Sequence, residues 1–200
     1  MNRLYTRTMH DDPIVLFNRW YAKAQRAKAP LHDAMALATA DGRGRPAVRF
    51  VLLKQADERG FVFYTNTGSP KGRDLGRNPH AALAFYWDAI NRQVRVDGRV
   101  EKVSSEESDA YWATRPRTSR AGAVVSRQSR PMGNRIRFIA AVAKVLLRYA
   151  GRPIPRPRNW TGYRVVPDSI EFWTRRLNRL HIRWLYRRTR RDWTRTLLQP

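Results

Sequence analysis

The chain of 200 residues is long enough for one domain with a single core, and its 42% apolar content favours a folded protein over a disordered one. Forty Lys and Arg residues against sixteen Asp and Glu give a net charge of +24, which attracts polyanions and phosphorylated small molecules alike. Cysteine is absent, which excludes disulfides, thiolate catalysis and cysteine-ligated metal.

The hydropathy pattern favours a cytoplasmic protein without a membrane partner. The longest apolar run, residues 138–149, is about twelve residues long and contains two basic residues, so it is too short to cross a bilayer. No apolar segment follows Arg3 and Arg7, so the sequence shows no signal peptide. We expect nucleic acid to bind only non-specifically, through the basic surface.

The N-terminal half predicts one helix followed by strands. Residues 1–12 are expected to form a flexible arm, and Asp11, Asp12 and Pro13 then begin a capped helix that runs to Ala24. Residues 55–60 are predicted to form a polar loop. The predicted strands of this half are 34–40, 47–54, 61–65, 81–87 and 93–103, the last of them interrupted near Gly98.

The C-terminal half predicts helices and then closing strands. Ser104 and Glu107 form a capping box for a helix that ends near Trp112, and residues 136–149 have helical spacing. Residues 115–132 are rich in Arg, Ser and Pro and are predicted to be irregular. The closing strands are predicted at 163–166, 170–173, 180–186 and 193–198. Many antiparallel strands with peripheral helices indicate a mainly β fold of the α+β class, a barrel decorated by helices in a single domain, 1–200.

Familiar catalytic motifs are absent from the sequence. It contains no Gly-rich phosphate loop, no dinucleotide fingerprint and no His-Glu-x-x-His motif. The four histidines, His10, His32, His80 and His181, are scattered without the spacing of metal ligands, so we predict no metal site.

Cationic residues at the borders of apolar strands are the remaining candidates for chemistry. Arg49 and Lys54 bracket four apolar residues, a pattern that also fits a half-buried strand with solvated ends. The loop that begins at Thr65 leads into a short helix predicted to open at Arg73. Lys71 and the backbone N–H groups of that helix would form a phosphate cradle.

A third cationic stretch is Arg-Leu-His-Ile-Arg-Trp at 179–184. On a strand, period-two spacing places Arg179, His181 and Arg183 on one face. The pattern alone fits either a basic edge strand or one wall of an anion-binding site.

Together these segments resemble the pyridoxamine 5′-phosphate oxidase family. The likeness runs from about residue 12 to Pro200, with the motifs in family order and at nearly the family spacing. The segments that carry it are RFVLLK (49–54), GFVFYTN (60–66), GSPKG (68–72), NPHAALAFYW (78–87), RQVRVDGRVEKVS (92–104), SDAYWATRPRTS (108–119), SRQS (126–129), PRPRNWTGYRVVPDSIEFW (155–173) and RLHIR (179–183).

The resemblance implies an FMN-binding split β-barrel that forms a homodimer with active sites at the subunit interface. The family oxidises pyridoxamine 5′-phosphate or pyridoxine 5′-phosphate to pyridoxal 5′-phosphate in vitamin B6 biosynthesis and salvage. O2 is the acceptor, hydrogen peroxide is a product, and the amine substrate also releases ammonia. The C-terminal strands, residues 174–200, are expected to complete the active site.

By the same resemblance, each expected site residue has a role. The residues expected to bind FMN are Arg49, Phe50, Val51, Leu52, Leu53, Lys54, Tyr64, Thr65, Lys71, Gln93, Gln128, Ser129, Trp173 and Arg183, with Gln128 and Ser129 reaching from the second subunit. The residues expected to bind the phosphorylated substrate are Lys54, Tyr111, Arg115, Ser119, Arg179 and His181. Arg179 and His181, beside the pyridine ring, are also the expected catalytic residues.

The sequence departs from the family pattern at several positions. Pro70 stands where the family usually has Arg, Ile182 where it usually has Asp, and Asp33 where Asn is common. Two alternatives therefore stay open. One is a related split-barrel flavin oxidase, such as an enzyme of phenazine biosynthesis, and the other is a decayed family member that binds pyridoxal 5′-phosphate or nucleic acid.

Overall fold

The fold was obtained as a computed structural model, which describes residues 12–200 and is built on one sheet of nine strands. The strands are β1 (Ala34–Ala40), β2 (Pro46–Leu52), β3 (Gln55–Asp57), β4 (Gly60–Asn66), β5 (His80–Trp87), β6 (Arg92–Lys102), β7 (Trp160–Thr174), β8 (Ile182–Arg188) and β9 (Trp193–Leu198). The helices are α1 (Pro13–Arg26), α2 (Pro70–Arg77), α3 (Ser105–Thr114), α4 (Arg117–Val125) and α5 (Arg135–Arg148). The predicted mainly β class with peripheral helices is confirmed, whereas the predicted arm, 1–12, lies outside the described residues except for Asp12.

The sheet is antiparallel and is organised around β7. Its order is β2-β1-β5-β6-β7-β4-β3, and β8 pairs with β7 and β9. Strand β6 pairs along almost the whole of β7, whereas β4 pairs with the first half of β7 and β8 with the second half. Strand β7 therefore joins the β3-β4 part and the β8-β9 part of the sheet to the other strands.

The main core lies between α1 and the sheet. Asp12 caps α1 by accepting a hydrogen bond from the Ile14 N–H at 2.8 Å. Phe17, which is fully buried, meets Phe61 and Phe85 edge-on, with ring centroids 4.8 and 5.0 Å away. None of the helices in the described part of the chain is long and apolar enough to cross a membrane.

A second, smaller core packs helices α3, α4 and α5 against the start of β7. Its buried members are Trp112, Ala121, Ile154 and Trp160. The prediction that 115–132 is irregular is wrong, because this segment contains α4. Ala121 is fully buried, and Arg117 donates hydrogen bonds to the carbonyl oxygens of Tyr149 and Arg152 at 2.8 and 3.0 Å. These tertiary contacts override the weak local helical signal.

Two further predictions about strands are corrected. Residues 55–60 are not a simple loop, because β3 forms there and pairs with β4. The predicted strands 163–166 and 170–173 are one strand, β7, which continues through Pro167. Gly98 pairs with Pro167 and Asp97 pairs with Ser169, so Asp168 is an extra residue that forms a bulge in β7. Proline has no N–H to give to the ladder, and at a bulge this loss costs little. Strand β6 runs through Gly98 without the predicted interruption, and the bulge opposite Gly98 lies in β7.

We predict that Gly98→Ala lowers the free energy of unfolding by about 2–4 kcal/mol. A Cβ at position 98 would lie 2.1 Å from the carbonyl oxygen of Val166, so the bulge would have to shift. Urea unfolding followed by fluorescence would measure the change. The matched control is Gly76→Ala in α2, where a Cβ meets nothing within 4 Å. There we expect a gain of about 0.5–1 kcal/mol. Equal effects of the two changes would contradict the role assigned to the bulge.

Candidate active site

A cleft of 440 Å³ opens between β2, the end of β4 and helices α3 and α4. This volume falls in the range of about 300–1,000 Å³ typical of small-molecule sites. The structure brings eleven of the predicted site residues to its walls, namely Phe50, Val51, Leu52, Lys54, Tyr64, Thr65, Lys71, Tyr111, Arg115, Ser119 and Gln128. Leu53 instead packs into the main core, with 5% of its surface exposed.

Lys71 is a buried cation that has no anionic partner in residues 12–200. Its side chain is 7% exposed, and its Nζ donates one long hydrogen bond, 3.4 Å, to Thr65 Oγ1. Burial, and then the charge of Arg49, lower the pKa of Lys71. Arg164 shows the usual alternative, since it is equally buried but lies 3.0 Å from Asp57 and 2.9 Å from Glu107. No carboxylate of the described residues plays that part for Lys71.

Arg49 adds a second cation beside Lys71. Its guanidinium donates to Thr39 Oγ1 at 2.7 Å and to the Leu37 carbonyl at 3.3 Å, which fixes its position. Asp74 lies 3.8 Å away and only partly offsets burial, which lowers the pKa of Arg49. Two fixed cations in a partly desolvated place are suited to bind a phosphate.

The loop before α2 positions Lys71. The Asn66 side chain accepts from the Gly68 N–H at 2.8 Å, and Ser69 caps the helix by accepting from the Gly72 N–H at 3.3 Å. Pro70 occupies the first position of α2, where its missing N–H is harmless, so the helix begins three residues before the predicted start at Arg73. Lys71 therefore lies in the first turn, where the helix dipole also favours an anion.

Another part of the cleft lining is aromatic and carries Arg115. The rings of Tyr64, Tyr111 and Trp160 are nearly parallel and form a cluster, with the Tyr64 centroid 4.1 Å from Tyr111 and 5.1 Å from Trp160. The Arg115 guanidinium lies 4.8 Å above the Trp160 ring, and burial lowers the pKa of Arg115. Its Nη1 and the Nε of Arg120 are buried, and none of the described residues hydrogen-bonds to them. Such donors are suited to a bound anion.

Gln128 closes the cleft from within the same chain. Its Oε1 accepts hydrogen bonds from Thr65 Oγ1 at 3.1 Å and from the Asn66 N–H at 3.2 Å. Gln128 therefore lines the cleft of its own chain, although we expected it to reach the site from a second subunit. Ser129, with φ of 65°, lines an adjoining cleft of 750 Å³.

Five other predicted residues do not line the 440 Å³ cleft, namely Gln93, Trp173, Arg179, His181 and Arg183. They form a separate group where β6 begins, β7 ends and β8 begins. Gln93 pairs with Trp173, and Trp173 pairs with Arg183, so the three share one face of the sheet. The His181 ring lies 4.5 Å from the ring of Trp173. Arg183 is held by Glu171, whose carboxylate oxygens accept from it at 2.7 and 3.2 Å and raise its pKa.

The predicted strand face at 179–183 is wrong for its first two members. Strand β8 begins at Ile182, and Arg179 ends the short helical turn Leu177–Arg179 with a left-handed φ of 60°. His181 follows this turn, and its Nδ1 accepts the Arg176 N–H at 3.2 Å. A backbone N–H can only donate, so the neutral ring carries its proton on Nε2.

Sequence reasoning assigned no role to several residues that shape these two places. Trp160 forms the aromatic wall, Arg120 supplies an unsatisfied donor, and Tyr86, 59% exposed, pairs with Gln93. Asp33 lies 3.1 Å from the Lys54 ammonium, an ion pair between side chains that are each 25% exposed. The strand pattern indicated that Tyr86 alternates with buried neighbours, but no local pattern indicates a pairing across 21 residues such as that of Asp33.

Comparison with known proteins adds an independent result. The family model described as pyridoxamine 5′-phosphate oxidase matches residues 22–149, and the pyridoxine 5′-phosphate oxidase C-terminal dimerisation region matches residues 160–200. The pyridoxine/pyridoxamine 5′-phosphate oxidase of Sphingopyxis alaskensis is 48% identical over 99% of this chain and 92% of its own length. The protein of the same name from Rubrobacter xylanophilus is 52% identical over 100% of this chain and 95% of its own.

Solved structures show the same fold. PhzG of Burkholderia lata, solved with tetrahydrophenazine-1-carboxylic acid, has a TM-score of 0.90 and 35% identity, over 95% of this chain and 93% of that one. An FMN-binding, pyridoxamine 5′-phosphate oxidase-related protein of Nostoc punctiforme has a TM-score of 0.78 at 20% identity, over 94% and 98%. The predicted split β-barrel is thereby confirmed.

We predict that Lys71→Met stabilises the protein stripped of bound anions, by about 1–2 kcal/mol, because it removes a buried charge without a partner. The folded pKa of Lys71 is lowered, so the unfolded chain binds more protons between that value and the ordinary lysine pKa of about 10.4. The free energy of unfolding of the wild type should therefore increase with pH across this window. The variant should lack this increase.

Urea unfolding at several pH values measures both effects. Lys23→Met on the exposed side of α1 is the control, with an expected change within about 0.5 kcal/mol. Destabilisation by Lys71→Met in the stripped protein would contradict this account of the cation.

Proposed function

The chain belongs to the pyridoxamine 5′-phosphate oxidase family, and we propose on this basis an FMN-dependent oxidase of phosphorylated B6 vitamers in vitamin B6 biosynthesis and salvage. Pyridoxine 5′-phosphate and O2 would give pyridoxal 5′-phosphate and hydrogen peroxide. Pyridoxamine 5′-phosphate, O2 and water would give the same two products and ammonia. The observation that carries the proposal is one cleft lined by Lys71 and Arg115, two cations withdrawn from solvent that have no anionic partner among the described residues.

The donor set of the cleft fits FMN. A phosphate monoester carries a charge of about −2, which matches a place where Lys71 is buried beside Arg49. Lys71, Arg49 and the first turn of α2 would hold the FMN phosphate, while β2 and Gln128 would face the ring system. When bound, FMN would take a hydride equivalent from the substrate carbon bearing the amine or hydroxyl group and pass the electrons to O2.

The substrate phosphate would bind at the aromatic part of the cleft lining. Arg115 offers its unsatisfied Nη1, held over Trp160, and Lys54, Tyr111 and Ser119 line the same cleft. A fixed guanidinium donates in a planar fork that matches phosphate oxygens, so it orients the substrate as well as binding it.

A second copy of the chain would complete the site. Gln93, Trp173, Arg179, His181 and Arg183 lie outside the cleft of their own chain, and residues 160–200 match a dimerisation region. Val48 and Phe50, on the edge strand β2, are 71% and 77% exposed and would be covered by a partner. We therefore propose a homodimer in which this group reaches the partner's cleft, with His181 Nε2–H and Arg179 beside the substrate ring. We also propose a single-domain, cytoplasmic enzyme.

The likeness to PhzG supports a second candidate, a split-barrel flavin oxidase of phenazine biosynthesis. The two candidates differ in the charge of the substrate. The unsatisfied donor of Arg115 favours a phosphorylated substrate, which the B6 vitamers supply.

The test is an FMN and peroxide assay on the purified protein. We expect a yellow protein that releases flavin on denaturation and forms peroxide with pyridoxine 5′-phosphate or pyridoxamine 5′-phosphate. Flavin uptake without peroxide from either vitamer would favour the phenazine candidate. A colourless protein that takes up no FMN at micromolar concentration would refute both oxidases and favour a decayed binding protein.

We predict that Arg179→Ala lowers kcat/KM by about tenfold or more while FMN affinity changes less than about twofold. Arg179 is exposed and is proposed to face the substrate, so the FMN phosphate does not depend on it. Lys71→Met is the converse change, with FMN affinity lowered by about tenfold or more. Flavin titration and steady-state kinetics separate the two effects, and parallel losses in Arg179→Ala would contradict the assignment.

We predict that Asp33→Asn lowers KM for the phosphorylated substrate by about threefold at low salt, since the Asp33 carboxylate now neutralises Lys54 and repels the substrate phosphate. The amide keeps a hydrogen-bond acceptor for Lys54. Glu58→Gln, exposed at the turn between β3 and β4, removes one negative charge away from the cleft and should leave KM unchanged. A higher KM in Asp33→Asn would show that the ion pair positions Lys54 productively.

A further inference from the structure

Helix α5 carries an apolar stripe that faces away from the protein. Ile136, Ile139 and Leu147 are 78%, 55% and 76% exposed, and the exposed Ala140 and Ala143 lie between them. At about 100° of rotation per residue, these five positions fall on one narrow face of the helix.

The face of α5 next to the stripe is packed against the protein. Val142, Val145, Leu146 and Tyr149 contact the second core, and Arg117 hydrogen-bonds the chain at the end of the helix. Other residues of α5 therefore form its contact with the core, and the stripe remains exposed in residues 12–200.

Basic residues border the stripe, and acidic residues are missing from the whole region. Helical spacing places Arg137, Lys144 and Arg148 along one border of the stripe and Arg135 along the other, all of them exposed. Helix α5 contains no acid, and the chain between Asp109 and Asp168 has thirteen basic residues and no acidic one. Charge and apolar surface thus coincide on one helix.

We propose that this face of α5 docks on an anionic phospholipid surface. An amphipathic helix lying in a bilayer interface inserts its apolar face below the headgroups and keeps Lys and Arg at their level, which is the arrangement found here. The helix would lie on the bilayer and not span it. The expectation of no membrane partner rested on the absence of a spanning segment, so it does not bear on this contact. The inference is independent of the oxidase activity.

Two other occupants fit the face less well. Nucleic acid binds through cations directed at phosphates and through aromatic rings that stack on bases, but the centre of this face is aliphatic. A second copy of the chain would oppose basic borders to basic borders without an acid to pair them. The matched dimerisation region, residues 160–200, also lies outside α5.

The test is flotation of the full-length, FMN-reconstituted protein with vesicles at about 0.15 M salt. One set consists of phosphatidylcholine alone, and the other contains about 30% phosphatidylglycerol. We expect binding to the anionic vesicles to exceed binding to the neutral ones by about tenfold or more. Ile136→Ser with Leu147→Ser should reduce the partition coefficient by about tenfold or more, because the apolar contact is lost.

Matched controls separate this contact from general attraction to a basic protein. Leu31→Ser removes an apolar side chain that is 74% exposed elsewhere and should leave binding unchanged. Arg137→Gln with Lys144→Gln should weaken binding more than Lys23→Gln with Arg26→Gln on α1. Circular dichroism and flavin content verify that each variant is folded.

Several outcomes would overturn the proposal. These are undiminished binding by the Ile136→Ser, Leu147→Ser variant, equal losses in the two pairs of charge variants, and no preference for anionic vesicles. A change of oligomeric state in light scattering by the Ile136→Ser, Leu147→Ser variant would assign the face to a protein contact instead. Loss of binding to a DNA duplex, at the same salt, in that variant would assign it to nucleic acid.

Discussion

The two halves of the site depend on the unbroken pairing of strand β7. Trp160, at its start, forms part of the cleft wall, and Trp173, near its end, belongs to the separate group on β6 and β8. Strand β6 pairs along nearly the whole of β7 and holds these ends at a constant separation. The bulge opposite Gly98 bends the strand between them without breaking the ladder. Because the distance between Trp160 and Trp173 is fixed within each chain, a second copy could place its Trp173 group against the cleft of the first chain.

The sequence predicted the regular strands well, because alternation of apolar and polar residues on a half-buried sheet is a local property. It did not predict that β7 is continuous, since Pro167 is typical of a break and only the opposing Gly98 makes it tolerable. It also missed α4, whose formation depends on the burial of Ala121 and on contacts of Arg117 with a segment about thirty residues later. At 179–181, the left-handed Arg179 overrode an alternation that looks like a strand.

For the site, the family resemblance supplied the residues, and composition alone could not have selected them. Forty basic residues look alike in a sequence, and what distinguishes Lys71 from Arg164 is the presence or absence of a distant acid. Arg164 is paired with Asp57 and Glu107, which are 107 and 57 residues away along the chain. Among residues 12–200, Lys71 has one hydrogen-bond partner, the Thr65 hydroxyl. An uncompensated buried cation is costly, so its presence indicates a ligand that restores the balance.

The positive charge of the chain then has two separable parts. Buried or partly buried cations at the cleft, such as Lys71 and Arg115, are held in place and have donors to spare, which suits small phosphorylated ligands. The exposed cations of α5 add to a field that steers the same ligands, and steering alone would account for them. Steering does not account for Ile136 and Leu147, which contribute no charge and expose apolar surface to water. The proposed contact with a surface accounts for the stripe, and the basic borders fit an anionic surface.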